Sequence, residues 1–255
     1  MKPKVIALLQ ARTDSTRLPK KVLKNILDKP MIIHQLLRTS KSKLIDKLIL
    51  LTSDENSDDE LYKVIIDNNF SIFRGDKNNV LKRFYDSVSD LKLNDNDLIV
   101  RLTGDCPLHD ANIIDESIVA FIKGKCDYLA NCIKPIYPDG LDVEIFTYNS
   151  LKVAYNNATL KSELEHVTPY IRNNKKLIIK DLNKKPIYNN WRLTVDEEND
   201  FLLISKIYDY FNTTYFSFED TVKFLENNKE LLKINNSINR NEGYAKSIKE
   251  DNNDK

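Results

Sequence analysis

The chain has 255 residues and a formal net charge of +1. That length suits one large α/β domain or two small ones. The near balance of charge removes any general electrostatic case for nucleic acid or an anionic membrane as partner.

Hydrophobic residues make up 41% of the chain, enough for a sizeable core. Residues 1–4 lead straight into a strand pattern with no secretory signal, and no apolar run is long enough to span a bilayer. Cys106, Cys126 and Cys132 have no CxxC spacing and read as reduced thiols. A soluble cytoplasmic protein is expected.

Strands are expected at residues 5–9, 48–52, 71–73, 98–102, 127–130, 143–146, 177–180 and 191–195. Helical patterns lie at 30–39, 58–68, 79–91, 112–122, 150–157, 162–173, 198–211 and 218–227. The alternation predicts an α/β fold, a mainly parallel sheet with helices on both faces. Residues 126–146 break it and are expected to form a small β-rich subregion or a lid. Patterning ends near residue 232, which gives one domain over 1–232. A polar, Asn- and Lys-rich tail over 233–255 is expected to be flexible.

The first strand opens into Gln10-Ala11-Arg12 and then Arg17, Lys20 and Lys21. Ligands of open α/β sheets bind beyond the carboxyl ends of the strands. Cations grouped there suit a polyphosphate. No glycine precedes Gly75, so neither a dinucleotide fingerprint nor a Walker loop is present.

The strand ending in Arg101-Leu102-Thr103-Gly104-Asp105 puts a carboxylate at the same edge, and Arg192-Leu193-Thr194-Val195-Asp196 repeats the pattern. Asp105 and Asp196 together suit one Mg²⁺ that keeps several waters. Taken alone, Asp105 also fits an Asx turn, less well than a functional carboxylate, and Asp196 fits a helix N-cap as well as a metal ligand.

Pro138-Asp139-Gly140 is a turn signal, and Asp139, Asp142 and Glu144 follow it as candidate acceptors for a hydroxyl-rich ligand. Ser162 and Glu165 have capping-box spacing. Glu163 and His166, three apart, are placed to face one pocket. His34 and His109 read as structural. No nucleophile motif is present, so the chemistry implied is positioning and charge neutralisation.

Six motifs in this order resemble the cytidylyltransferases of the spore-coat polysaccharide SpsF type, relatives of CMP-Kdo and CMP-sialic acid synthetases. They are residues 10–23, Arg74-Gly75-Asp76 with 79–84, 101–108, 139–144, Glu165-His166-Val167-Thr168-Pro169-Tyr170 and 192–196. The resemblance covers about residues 4 to 225. It implies a Rossmann-like nucleotidyltransferase fold of the GT-A kind. It places CTP on Gln10, Ala11, Arg12, Arg17, Lys21 and Arg101, with Arg74 near the base. Arg12, Lys21 and Asp105 would act in catalysis, and Asp105 and Asp196 would hold Mg²⁺. The acceptor would meet Asp139, Asp142, Glu144, Glu165, His166 and Arg172.

The resemblance further implies a small-molecule acceptor, a product used for surface glycan, and a homodimer with 127–146 as its arm. The chain departs from the family in carrying Asp14 and Lys20 where glycine is usual. A GT-A glycosyltransferase and a non-catalytic nucleotide-binding protein are the alternatives. The metal signature Asp-x-Asp of the former is missing, because Pro107 stands two residues after Asp105.

Overall fold

The computed structural model describes residues 2–238 together with 240, 247 and 251. Strands β1 (Val5–Gln10), β4 (Lys47–Ser53), β5 (Ser71–Gly75), β6 (Leu98–Thr103), β7 (Tyr128–Ala130), β8 (Glu144–Thr147) and β9 (Ile179–Asp181) form one sheet. Their order is β5-β4-β1-β6-β8-β7-β9, and β8 is the one strand of this sheet that runs against its neighbours. A hairpin of β2 (Asn25–Ile26) and β3 (Lys29–Pro30) stands apart.

β1 is the centre. Its alternating side chains serve two cores, as period-2 geometry requires. Val5, Ala7 and Leu9 pack into one with α1 (Met31–Thr39), α2 (Asp59–Asp67), α4 (Ala111–Gly124), α8 (Glu198–Phe211) and α9 (Phe218–Asn227). Ile6 and Leu8 pack into the other with α3 (Val80–Asp86), α5 (Tyr148–Asn157) and α7 (Pro169–Asn173). Each fully buried aliphatic side chain contributes about 1.5–3 kcal/mol. The three-layer α/β expectation therefore holds.

Three local expectations change. Residues 127–146 are neither a lid nor a separate sheet: β7 and β8 sit inside the main sheet, because Tyr128 and Phe146 are fully buried in its core. Residues 191–195 are extended but join no strand ladder; a single bridge pairs Arg192 with Asp139. The helix expected over 162–173 is split into α6 (Lys161–His166) and α7. Between them Thr168 N–H donates to His166 O at 2.7 Å around Val167, whose φ is 69° and ψ −54°. That is a strained γ-turn for a β-branched residue.

The expected boundary at residue 232 is not where contacts end. Asn235 is buried and donates to Arg192 O and Asp200. The tail expectation otherwise falls largely on residues 239, 241–246, 248–250 and 252–255, outside the described residues.

Candidate active site

The site lies at the carboxyl edge between β1 and β6, where the sheet order changes direction and ligands of such folds bind. Gln10 and Thr103 are register partners there. Gly104 N–H donates to Gln10 O at 2.7 Å. A Cβ at residue 104 would stand 2.7 Å from the Ala11 Cβ, so only glycine lets the two loops close together.

The loop after β1 is pinned by a buried carboxylate. Asp58 accepts from Thr13 N and Oγ1 at 2.8 and 2.7 Å, and from Ser53 N at 3.1 Å. Burial opposes its ionisation, but these hydrogen bonds outweigh burial and hold its pKa below the usual carboxylate range. The chain then turns through Lys20 in the left-handed region at φ 53°, a conformation that residues with a Cβ adopt at a cost.

Three of the four loop cations face inward. Lys21 Nζ donates to Asp196 Oδ1 and to Val195 O, both at 2.8 Å, and lies 3.7 Å from Asp105 Oδ2. Arg17 reaches Asp196 at 3.0 Å. Arg12 lines the same cavity and pairs with Asp14 at 3.0 Å. Lys20 instead points out to Glu60. Asp14 does not leave a bare negative charge in the loop, because Lys77 holds its second oxygen at 3.1 Å.

Asp196 reaches the site by an unexpected route. Leu193 N–H donates to Asp139 O at 2.7 Å and Val195 N–H to Asp105 O at 2.8 Å. The segment thus lies along the 139–142 turn and the end of β6. Gly140, at φ 103°, makes that contact possible: a Cβ there would be 2.5 Å from the Leu193 carbonyl carbon. Arg192 ties the region together from below. It pairs with both Asp200 oxygens at 2.9 Å, with Asp139 at 3.0 Å and with Asp196 at 3.0 Å. Burial alone would raise the Asp196 pKa, but Lys21, Arg17 and Arg192 together bring it down to about 2.

Two cavities meet at this acidic pair. The larger, about 590 Å³, is lined by Gln10, Ala11, Arg12, Arg17, Lys21, Val80, Arg83, Arg101, Glu165 and His166. The smaller, about 270 Å³, is lined by Asp139, Asp142, Glu144, Thr168, Arg172, Thr194 and Cys132. Arg17, Arg101, Thr103, Asp105, His166 and Asp196 face both.

In the smaller cavity Glu144 is buried and spoken for: it pairs with Arg101 and accepts from Tyr128 and Thr168. Gln10 Oε1 holds the other side of Arg101 at 3.1 Å. Glu144 therefore orients Arg101 more than it offers oxygen to a ligand. Asp142 is paired with Arg240, which also approaches Asp139 at 3.7 Å. Burial, then Asp142 close by, push the Asp139 carboxyl up to about 7.

Of the residues expected at the site, Arg74, Lys20 and Glu163 line neither cavity, and Arg74 lies furthest from the expected role. It donates to Ser53 O and Glu55 O and pairs with Asp59 at the outer flank of β4 and β5. Glu165 lines the larger cavity and not the smaller one, where the resemblance put it with Asp139 and Asp142. Glu163 turns away to cap α6, accepting from Thr159 and Leu160 N–H groups, so the helix start lies earlier than the Ser162–Glu165 spacing suggests. His166 Nε2 is 2.9 Å from Ser247 Oγ. His34 and His109 are buried and hydrogen-bonded within the fold, and burial takes His109 down to about 4.

Arg83, Arg192 and Arg240 were not among the expected site residues. The first two lie inside quoted motifs; Arg240 comes from the stretch read as a tail.

A family model described as cytidylyltransferase matches residues 6–238. The chain belongs to the cytidylyltransferase family. It is 34% identical over 238 residues to an uncharacterised protein of Methanocaldococcus jannaschii, covering 92% of this chain and 96% of that one. It is 32% identical over 214 residues to the spore coat polysaccharide biosynthesis protein SpsF of Bacillus subtilis, covering 80% and 86%. A solved cytidylyltransferase from Leptospira borgpetersenii superposes with a TM-score of 0.84 at 32% identity, over 91% of this chain and 97% of that one. A CMP:2-keto-3-deoxy-manno-octonic acid synthetase solved with CTP shares the fold at TM-score 0.61 and 13% identity, over 81% and 99%. The nucleotidyltransferase fold and class expected from the sequence stand. Among the described residues no helix is long and apolar enough to cross a membrane.

Proposed function

We propose that the chain transfers CMP from CTP to an oxygen of a small polar acceptor and releases pyrophosphate, with Mg²⁺, in the making of surface glycan. The observation that carries this reading is the meeting of two cavities at Asp105 and Asp196, in a member of the cytidylyltransferase family. A triphosphate fits the larger cavity with its α-phosphate at that junction, and the acceptor fits the smaller.

In the reaction an acceptor oxygen, from a sugar hydroxyl that gives up its proton to solvent or from an ionised phosphate or phosphonate group, bonds to the α-phosphorus. The bond from that phosphorus to the β-bridging oxygen breaks in line, and pyrophosphate leaves. Arg12, Arg17 and Lys21 neutralise the departing charge, the electrostatic role that positioned cations perform best in a shielded site. Lys21 is held charged for this: burial lowers its pKa, but Asp105 and Asp196 more than restore it. Arg101 and Arg172 offer cations to an anionic acceptor group, and Asp139 and Asp142 offer oxygens to its hydroxyl or amino groups.

Mg²⁺ fits the donor set. Asp105 and Asp196 offer carboxylate oxygens to one space, and the Lys21 ammonium between them marks a spot where positive charge is favoured. Two carboxylates leave positions for waters and phosphate oxygens, as Mg²⁺ prefers. When bound it would supply Lewis-acid stabilisation and orient the α-phosphate.

A thermal-shift titration with CTP, UTP, GTP, ATP and UDP- or GDP-sugars, each with and without Mg²⁺, tests this reading. The largest shift is expected for CTP with Mg²⁺, followed by pyrophosphate release in an acceptor screen. A silent CTP beside a responding nucleotide sugar would overturn it. The homodimer remains part of the proposal; residues 127–146 offer it only Ile133 and Lys134 as an exposed tip, so sedimentation should be read on an Ile133→Asp variant.

A further inference from the structure

A total charge of +1 leaves room for a local excess. β8 alone runs against its neighbours, so β7 and β9 run with β6 and begin at the edge of the sheet opposite the two cavities. Five lysines collect about those beginnings. Lys123 lies in the last turn of α4, and Lys125 leads into β7. Lys175 and Lys176 lie in the turn before β9, which Leu177 N–H closes by donating to Asn174 O at 3.0 Å. Lys180, on β9, donates to Gly124 O at 2.9 Å and so ties that strand to the end of α4.

The two stretches lie side by side. Asp127 N–H donates to Ile178 O at 2.9 Å, and the Asp127 carboxylate accepts from Ile178 N–H at 2.8 Å. All five lysines are exposed. Among the described residues none of them forms a salt bridge, whereas Lys134 and Lys184, farther along, pair with Asp181 and Glu116. Ile178 is 54% exposed, the most of any large aliphatic side chain among the described residues.

Two local explanations cover part of the set. Lys180 guards an open edge strand, and Lys123 complements the end of a helix. Neither accounts for Lys125, Lys175 and Lys176, or for Ile178 beside them. These residues include no arginine and no aromatic ring, the groups that grip phosphates in a fork and stack on bases. Lysines about an aliphatic tip suit an anionic lipid surface instead: the ammonium groups meet the headgroups and the isoleucine enters the acyl boundary.

We propose that this edge docks the chain reversibly on an anionic membrane surface, with the two cavities at the far edge left open. The inference does not depend on which nucleotide the cavities hold.

Co-sedimentation of the full chain at low salt tests it, with vesicles of phosphatidylcholine alone or of an equal mixture with phosphatidylglycerol. The wild type is expected on the mixed vesicles and not on the neutral ones. Lys175→Glu with Lys176→Glu should weaken binding by about tenfold or more, and Ile178→Asp by about threefold or more. Both variants should melt with the wild type, since they touch only the surface. Lys47→Glu with Lys63→Glu makes the same change in charge across the sheet and should bind within about twofold of the wild type. A wild type that ignores the mixed vesicles overturns the proposal. So does equal loss in the Lys47 and Lys63 pair, which would make net charge the cause. Tighter binding to duplex DNA than to the mixed vesicles, lost with Lys175 and Lys176, would assign the patch to nucleic acid and overturn it as well.

Discussion

Lys21 Nζ donates to Asp196 Oδ1 at 2.8 Å although the two residues are 175 apart in sequence. The contact joins the loop that follows the first strand to a segment that belongs to no strand. It also puts one cation against both carboxylates at the junction of the two cavities, since Asp105 lies 3.7 Å from the same nitrogen.

Asp105→Asn keeps the shape of the turn after β6 and removes one charge from the pair. Turnover, measured as pyrophosphate release, is expected to fall by about a hundredfold or more. Melting should stay within a few degrees of the wild type. Near-normal turnover would take Asp105 out of the metal site.

Arg192→Lys exchanges a planar fork for a point charge and leaves the fully buried Asp200 with a poorer partner. Breaking a buried pair costs about 3–5 kcal/mol, and retention of the charge should bring the loss to about 2–3 kcal/mol in urea unfolding. The Mg²⁺-dependent part of the CTP thermal shift should shrink as well. A loss below about 1 kcal/mol would show that the Arg192 hub contributes little.

Gly140→Ala sets a Cβ against the Leu193 backbone in a conformation that L residues rarely adopt. Stability should drop by about 2 kcal/mol or more. The Asp196 segment must move with it, so CTP with Mg²⁺ should bind more weakly than the stability change alone would give. Binding that matches the wild type at a temperature where the variant is folded would contradict this coupling.

Asp139 titrates near neutrality, up at about 7, because of burial, Asp142 and Asp105, against Arg240 and Arg192. The folded chain therefore binds this proton more tightly than the unfolded one. Its contribution to stability is complete below about pH 4 and is lost as pH rises through about 7. Asp139→Asn should flatten the slope of melting temperature against pH between those values. A slope unchanged in that variant would place the titration elsewhere.

The first strand, its cationic loop and Asp105 were legible because each is local: an apolar run, then charges at a fixed distance beyond it. Asp196 reaches the same edge by another route than its sequence pattern suggests. Its segment looks like a strand, but its partners are a turn and a loop end, and no periodicity reports that. Arg74 and Arg83 show where pattern reading needed one more step. Both belong to the same motif, yet Arg83 falls three residues after the buried Val80 and turns inward with α3, while Arg74 at the sheet edge turns out to Asp59. Arg240 carried no local mark, since its partners Asp139 and Asp142 lie about a hundred residues earlier.

The backbone bonds from Asp139 to Leu193 and from Asp105 to Val195 make the acceptor turn and the Asp196 segment one mechanical body. A protein engineer who grafts a foreign 139–142 turn to change the acceptor would shift the second carboxylate of the reaction centre in the same operation. If the proposed function holds, acceptor choice and the grip on the α-phosphate are therefore not independent dials in this scaffold. Redesign of one must carry Gly140, Arg192 and the segment up to Asp196 along as a cassette.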